Sequence, residues 1–298
     1  MKFAAIDIGS NAVRLIFTNV YETPNGPQFV KDAMYRVALR LGEEAFLKGK
    51  ISKTKEAEML STMKAFKHLI DVHQPLQVMA CATSAMRDAK NANEIVEKIY
   101  AKTGIDIKII SGKKEAAFIL SNHVEKLQLE EHNNYLYIDV GGGSTELILL
   151  ADGVVVDKWS FNIGTLRMAL NQVKPKHWKE MDVWLDHFKG KYQNIVAIGS
   201  GGNINTIQKH FVKRKSAHVS LEDIQSAHAI LSKLSVEERI LQYDFKPDRA
   251  DVIVPAAQIF IHIMSRLNID DLFVPKVGLG DGMIHEMYEK LEKKKKKK

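Results

Sequence analysis

Short apolar runs take turns along this chain with longer stretches whose apolar residues recur at helical spacing. Tyr135 to Val140 alternates large apolar residues and ends in an acid, as a buried strand does, and a second apolar run, Leu147 to Leu150, follows close behind. Phe3 to Phe17 has the same form: a strand, Asp7, a small-polar turn and another strand. Further strands are predicted near Phe29–Val37, at Gln77–Ala82, Ile105–Ile110, Val154–Ser160 and Ile195–Ile198, and around Leu272–Pro275. Met59, Met63, Phe66, Leu69 and Ile70 give Lys55–His73 one apolar helical face, ended by Pro75. Helices are also predicted at Asn91–Lys102, from Ser111-Gly112 to about Lys126, near Lys176–Phe188, and at Ile204–Phe211 and Leu221–Lys233. Two more are Arg249–Leu267, kinked or restarted at Pro255, and a closing helix after Gly282. Gly42–Lys50 reads as irregular and polar. Strands alternating with helices, with glycine turns after the strands, indicate an α/β fold.

The two hairpins have candidate chemistry. Between the strands of the second lie Gly141, Gly142 and Gly143, then Ser144, Thr145 and Glu146. Glycine lets the backbone turn tightly and present bare N–H groups, which make a concave anion site, and Ser144 and Thr145 add hydroxyls. Asp139 before the turn and Glu146 after it are placed to hold a divalent cation. A glycine-rich hairpin with no ligand is the plain alternative. The first hairpin turns through Gly9, Ser10 and Asn11, so strand–Asp–x–Gly–turn–strand is written twice, 132 residues apart from Asp7 to Asp139. Two related half-domains facing each other across a cleft explain that repeat. Neither hairpin fits a P-loop or the dinucleotide-binding glycine pattern. The polar stretch 129–134 is the predicted boundary: one domain over 1–128, a second over 129–292, then a lysine tail.

Composition narrows the classes. At 298 residues, 45% hydrophobic and 27% charged, the chain can bury two cores. No apolar run approaches the roughly 18–20 residues that span a bilayer, and MKFAAIDIGS leaves no room for a signal peptide, so no membrane association is expected. The single cysteine, Cys81, excludes an internal disulfide and fits a reducing cytoplasm, and its apolar surroundings suggest a buried thiol. The net charge of +7 invites a nucleic-acid reading, but six of those charges are Lys293 to Lys298, so no specific nucleic acid is expected. The tail reads as a solvated, disordered extension of the last helix.

The segments DIGSNAVRL, ATSAMRDAKN, SGKKEA, DVGGGSTE, NIGTLR, GSGGNI and GLGDG resemble, in order over residues 3–290, the exopolyphosphatase/guanosine pentaphosphate phosphatase family. The resemblance implies two ribonuclease-H-like domains around a cleft, as in the actin, sugar-kinase and heat-shock ATPase superfamily. It also implies a Mg²⁺-dependent phosphohydrolase acting on the terminal phosphate of inorganic polyphosphate or of a guanosine alarmone. Glu115 takes the position of the family's catalytic base, and flanking Lys113 and Lys114 are expected to keep it ionised. Asp7, Asp139 and Glu146 would hold Mg²⁺; Gly9, Ser10, Asn11, Gly141, Gly142, Gly143, Ser144 and Thr145 would hold phosphates. Arg14, Arg87 and Arg167 each follow a small-polar turn, and an arginine fork suits phosphate oxygens.

Each assignment has a structural counterpart. Asp7 and Asp139 can cap their turns, Glu146 can face solvent, and Glu115 can be a partner of the helix dipole. Arg87 can bridge to Asp88 or another acid, Arg14 can pair inside its strand, and Arg167 can cap its own turn. Lys114 stands where the family's motif has a first glutamate, and Gly280-Asp281 stands where it has Arg-Glu. Those departures leave a non-catalytic sensor, and a small-molecule kinase of the same fold, as rival classes. Polyphosphate is favoured over the alarmone because no aromatic-rich guanine pocket stands out. Assembly as a homodimer is left open.

Overall fold

The computed structural model describes residues 1–124, 134–192, 194–212 and 216–296. They form two compact units: Met1–Asn122 with Gly278–Lys298, and His123–Val277.

The first unit begins with three antiparallel strands, β1 (Lys2–Ile8), β2 (Val13–Thr23) and β3 (Gly26–Val37). Helices α1 (Leu41–Lys48) and α2 (Lys53–His73) follow, then β4 (Gln77–Ala82), α3 (Ser84–Asp88), α4 (Ala92–Thr103), β5 (Ile107–Ile109) and α5 (Gly112–Val124). The sheet order is β3-β2-β1-β4-β5, with β4 and β5 parallel to β1. Alternation along the strands sends Ala4, Ile6 and Ile8 into a core with Met59, Met63 and Phe66 of α2, and Phe3 and Ala5 into a core on the other face.

The second unit repeats the plan. It has β6 (Asn134–Val140), β7 (Thr145–Ala151), β8 (Val154–Phe161), α6 (Thr165–Ala169), α7 (Pro175–Phe188) and β9 (Ile195–Ser200). Then come α8 (Gly202–Phe211), β10 (His218–Ser220), α9 (Leu221–Leu231), α10 (Val236–Tyr243), α11 (Pro247–Ala250), α12 (Ile253–Leu267) and β11 (Asp271–Phe273). Its sheet order is β10-β11-β9-β6-β7-β8. The hairpin β6–β7 and the parallel neighbour β9 stand as β1–β2 and β4 do, so the sequence repeat is a repeat of fold: two α/β units with mixed sheets, as expected.

Several expectations change. Residues 42–48 are helical: Gly49 takes the left-handed conformation that ends α1, and Leu41 and Ala45 are buried. The last helix, α13 (Leu279–Lys295), joins the first unit, so the second does not run to residue 292. Leu279, Met283, Ile284, Met287 and Tyr288 complete the core around Phe3, Ala5, Ile16, Val20 and Phe118. Of the predicted boundary only Asn134 is described, as the start of β6; 129–133 lie outside the described residues, as do Glu125 and Lys126. Lys293–Lys295 are exposed but helical, and Lys297 and Lys298 lie outside the described residues. Pro247–Leu267 is long and apolar enough to cross a membrane by length and composition, contrary to the sequence reading. Here it is two helices, α11 and α12, and Ile253, Ala256, Ala257, Ile259, Phe260, Ile263 and Met264 lie in the second unit's core.

Candidate functional site

In the first unit the candidate groups gather where the parallel strands end, the usual place for ligands in α/β sheets. β1 delivers Asp7, which faces Arg14 across the antiparallel pair, and Arg14 Nη1 donates to Asp7 Oδ2 at 2.6 Å. Arg14 thus takes the in-strand pairing that its position allowed. The turn is closed by Gly9 N–H to the Ala12 carbonyl at 3.1 Å. Helix α1 docks on it: the N–H groups of Arg40 and Gly42 donate to the carbonyls of Asn11 and Ser10, each at 2.9 Å. Ser10 Oγ accepts from Ala85 N–H at 3.1 Å, so that hydroxyl anchors α3. Beside Asp7 on β4 stands Cys81, whose thiol is pushed up to about 12 by burial and by the charge of Asp7, far from a nucleophile's range.

Glu115 lies in the first turn of α5 and is 8% exposed. Arg87 Nη1 donates to Glu115 Oε2 and to the Ile110 carbonyl, both at 2.9 Å. Arg87 thus takes the salt bridge to another acid that its position allowed, Glu115, because the β4–β5 pairing brings α3 and the start of α5 together. The Lys114 ammonium pairs with Glu286 of α13 and lies over the Phe118 ring. Burial raises the Glu286 carboxyl, but the bonds from Lys114 and Lys290 outweigh it and hold the group below the usual range.

In the second unit β6 delivers Asp139, and Ser200 Oγ at the end of β9 donates to its Oδ1 at 2.6 Å. The turn that follows is a backbone construction. Gly141 N–H meets the Ser144 carbonyl at 2.9 Å, and the first amides of α6 fold back on the turn: Thr165 N–H to Gly141 O at 3.0 Å, and Leu166 N–H to Gly142 O at 2.9 Å. Arg167 Nε donates to the Gly143 carbonyl at 3.0 Å, so Arg167 braces this turn rather than its own. Gly164 lies against it so closely that a Cβ there would sit 2.4 Å from the Gly143 carbonyl carbon.

The side chains just after the turn face inward. Glu146 is 1% exposed, and its Oε1 accepts from Ser144 Oγ and Ser160 Oγ, both at 2.7 Å. Thr145 Oγ1 donates to the Ile163 carbonyl at 2.6 Å. Glu146 does not face solvent, and the two hydroxyls expected to meet phosphate are spent inside the unit. Backbone amides remain as the turn's means of meeting an anion.

Among the described residues no group of three or more His, Cys, Asp or Glu could hold a metal ion. Mg²⁺ needs no such cage, because it commonly binds one or two carboxylates, substrate phosphates and several waters. Asp139, a carboxylate at the mouth of an amide-lined turn, fits that pattern. Glu146 is too enclosed to fit it by itself, and Asp7 is already matched by Arg14.

Sequence reasoning missed Ser200, Ser160 and the bond between Arg87 and Glu115. Ser200 lies in the segment GSGGNI, but its partner is 61 residues away and becomes visible only with the strand order.

Residues 27–291 match the profile of the Ppx/GppA phosphatase family. The chain is 28% identical to a bifunctional 3-dehydroquinate synthase/phosphatase of Fusobacterium nucleatum, over 98% of this chain and 47% of that one. It is 29% identical to exopolyphosphatase 1 of Mycobacterium bovis, over 49% of this chain and 42% of that one. It spans about half the length of the curated relatives it matches. In fold it is similar to the crystal structure of an exopolyphosphatase from Cytophaga hutchinsonii, with a TM-score of 0.82 at 23% identity, over 97% of this chain and 98% of that one.

Proposed function

Because the chain belongs to the Ppx/GppA phosphatase family, we propose that it is a phosphohydrolase that releases the terminal phosphate of inorganic polyphosphate, with Mg²⁺ as cofactor. The observation that carries this reading is Glu115: a carboxylate in the first turn of a helix, held by a guanidinium that also reaches the end of a strand. Hydrolysis moves a water oxygen onto the terminal phosphorus, breaks the bridging P–O bond and leaves a proton to be taken up. Glu115 accepts that proton, and Arg87 holds the carboxylate in position before the reaction. Within each unit the turn amides beyond the one that closes it, those of Ser10 and Asn11 in the first and of Gly142 and Gly143 in the second, are suited to phosphate oxygens, as turns of successive N–H groups are. Mg²⁺, held by Asp139, would neutralise charge on the phosphate oxygens when bound.

The name exopolyphosphatase 1 of the Mycobacterium bovis relative supports polyphosphate as the substrate. The test measures phosphate release from long-chain polyphosphate and from guanosine pentaphosphate, each with and without Mg²⁺. Glu115→Gln keeps the shape and loses the base, so kcat should fall by about 10²–10⁴-fold with substrate affinity retained. A variant that keeps more than about a tenth of wild-type kcat overturns the base assignment. Faster release from the pentaphosphate at equal concentration moves the proposal to the alarmone.

A further inference from the structure

The two hairpins share a backbone and differ in charge. Opposite Asp7 in the antiparallel register stands Arg14, whereas opposite Asp139 stands Glu146. One turn therefore carries a carboxylate matched by a guanidinium, and the other brings two carboxylates to adjacent strands. The parallel neighbours differ as well: Asp7 has Cys81 beside it and Asp139 has Ser200. A thiol is a weak donor, while the Ser200 hydroxyl donates to Asp139 Oδ1 at 2.6 Å. Aspartates at equivalent places in a duplicated fold thus meet opposite surroundings.

We propose that Asp7 and Ser200 are positioning residues with different targets. Asp7 aims the Arg14 guanidinium at phosphate oxygens and is not a cation ligand; Ser200 orients the Asp139 carboxylate toward the divalent cation. The inference rests on the phosphohydrolase reading, with its cation at Asp139. An arginine has five donors in a planar fork, so one bond to Asp7 fixes the plane and leaves the fork able to meet an anion. The Arg14 side chain is 29% exposed, which keeps that fork within reach of solvent. Matched by Arg14, Asp7 has little net charge to offer a cation. A serine hydroxyl fixes a carboxylate without cancelling its charge, as the outer partners of metal ligands do.

Two affinities test this. Mn²⁺ alone, as the probe cation, is titrated and followed by electron paramagnetic resonance; inorganic tripolyphosphate is titrated calorimetrically in the presence of EDTA. Ser200→Ala should weaken Mn²⁺ binding by about 10–100-fold and leave metal-free tripolyphosphate binding unchanged. Ser200→Thr, which keeps the hydroxyl, should restore Mn²⁺ binding. Asp7→Asn should do the reverse, weakening tripolyphosphate and leaving Mn²⁺ at the wild-type affinity. If Asp7→Asn does not fold, Arg14→Lys, which keeps the charge and loses the fork, takes its place with the same expectation. Wild-type Mn²⁺ affinity in Ser200→Ala, or Mn²⁺ binding lost in Asp7→Asn, overturns the inference alone. If Asp139→Asn binds Mn²⁺ and Arg14→Gln binds tripolyphosphate as wild type does, the underlying site reading falls with it.

Discussion

At the scale of single residues, the contact between Arg87 and Glu115 decides more than either does alone. Arg87→Gln leaves a buried carboxylate without its guanidinium, and removing one partner of a hydrogen-bonded buried group costs about 1–3 kcal/mol. The expected result is a lower denaturant midpoint with unchanged m-value, together with lower kcat, because the base loses its orientation. Unchanged stability with wild-type kcat would mean that the pair is incidental. Gly164→Ala tests the second turn, since the new methyl would sit 2.4 Å from the Gly143 carbonyl carbon and must push the turn outward. Phosphate binding by the turn should be lost, while far-ultraviolet circular dichroism stays native. Much of this was legible in the chain: Asp7, Asp139, the triple glycine and Glu115 stand where their motifs put them. Their partners were not, because Arg87 and Ser200 become neighbours of these acids only once β4 lies beside β5 and β6 beside β9.

At the scale of elements, the helices predicted best have one wide apolar face, and those missed have local signals instead. Helix α10 has no fully buried residue in Val236–Tyr243, and its sign in the sequence is the capping box of Ser235 and Glu238. Helix α1 is short, and glycine and paired glutamates near its start made it read as polar loop. Helices α2 and α4 are pinned together by Glu56, which accepts from Lys98 at 2.5 Å and from Lys53 at 3.1 Å. The Lys98 bond, then the Lys53 bond, hold the Glu56 carboxyl below the ordinary glutamate value of about 4.3. A depressed carboxyl contributes stability that is present above its unfolded-state value and lost as the pH falls through its folded one. Glu56→Gln should therefore lower Tm by about 2–4 °C at pH 7, and the gap should close as both proteins are acidified below about pH 4. A gap that stays constant from pH 7 to pH 3 would show that the ion pairs do not couple these helices.

At the scale of the whole molecule, the division at residues 122 and 278 is what the sequence concealed, because the apolar face of α13 gives no sign of which sheet it will cover. The second unit is one continuous stretch, and the first is closed by a helix that follows it in the chain. A fragment spanning 123–277 should fold cooperatively by itself. A fragment spanning 1–122 should bind a hydrophobic dye until a peptide of residues 278–296 is added. A sharp, dye-free unfolding transition of 1–122 alone would contradict the role given to α13. Asn122 Nδ2 donates to the Gly278 carbonyl at 2.7 Å, so the points where the chain leaves and re-enters the first unit are tied side by side. On the ribosome this order has a cost: Phe3, Ala5, Ile16 and Val20 are made first and lack the cover of α13, with Phe118 of α5 against them, while the entire second unit is synthesised. At about 5–20 residues per second that interval is on the order of ten seconds or more, during which a nascent chain exposes a sheet face to any chaperone or aggregating neighbour.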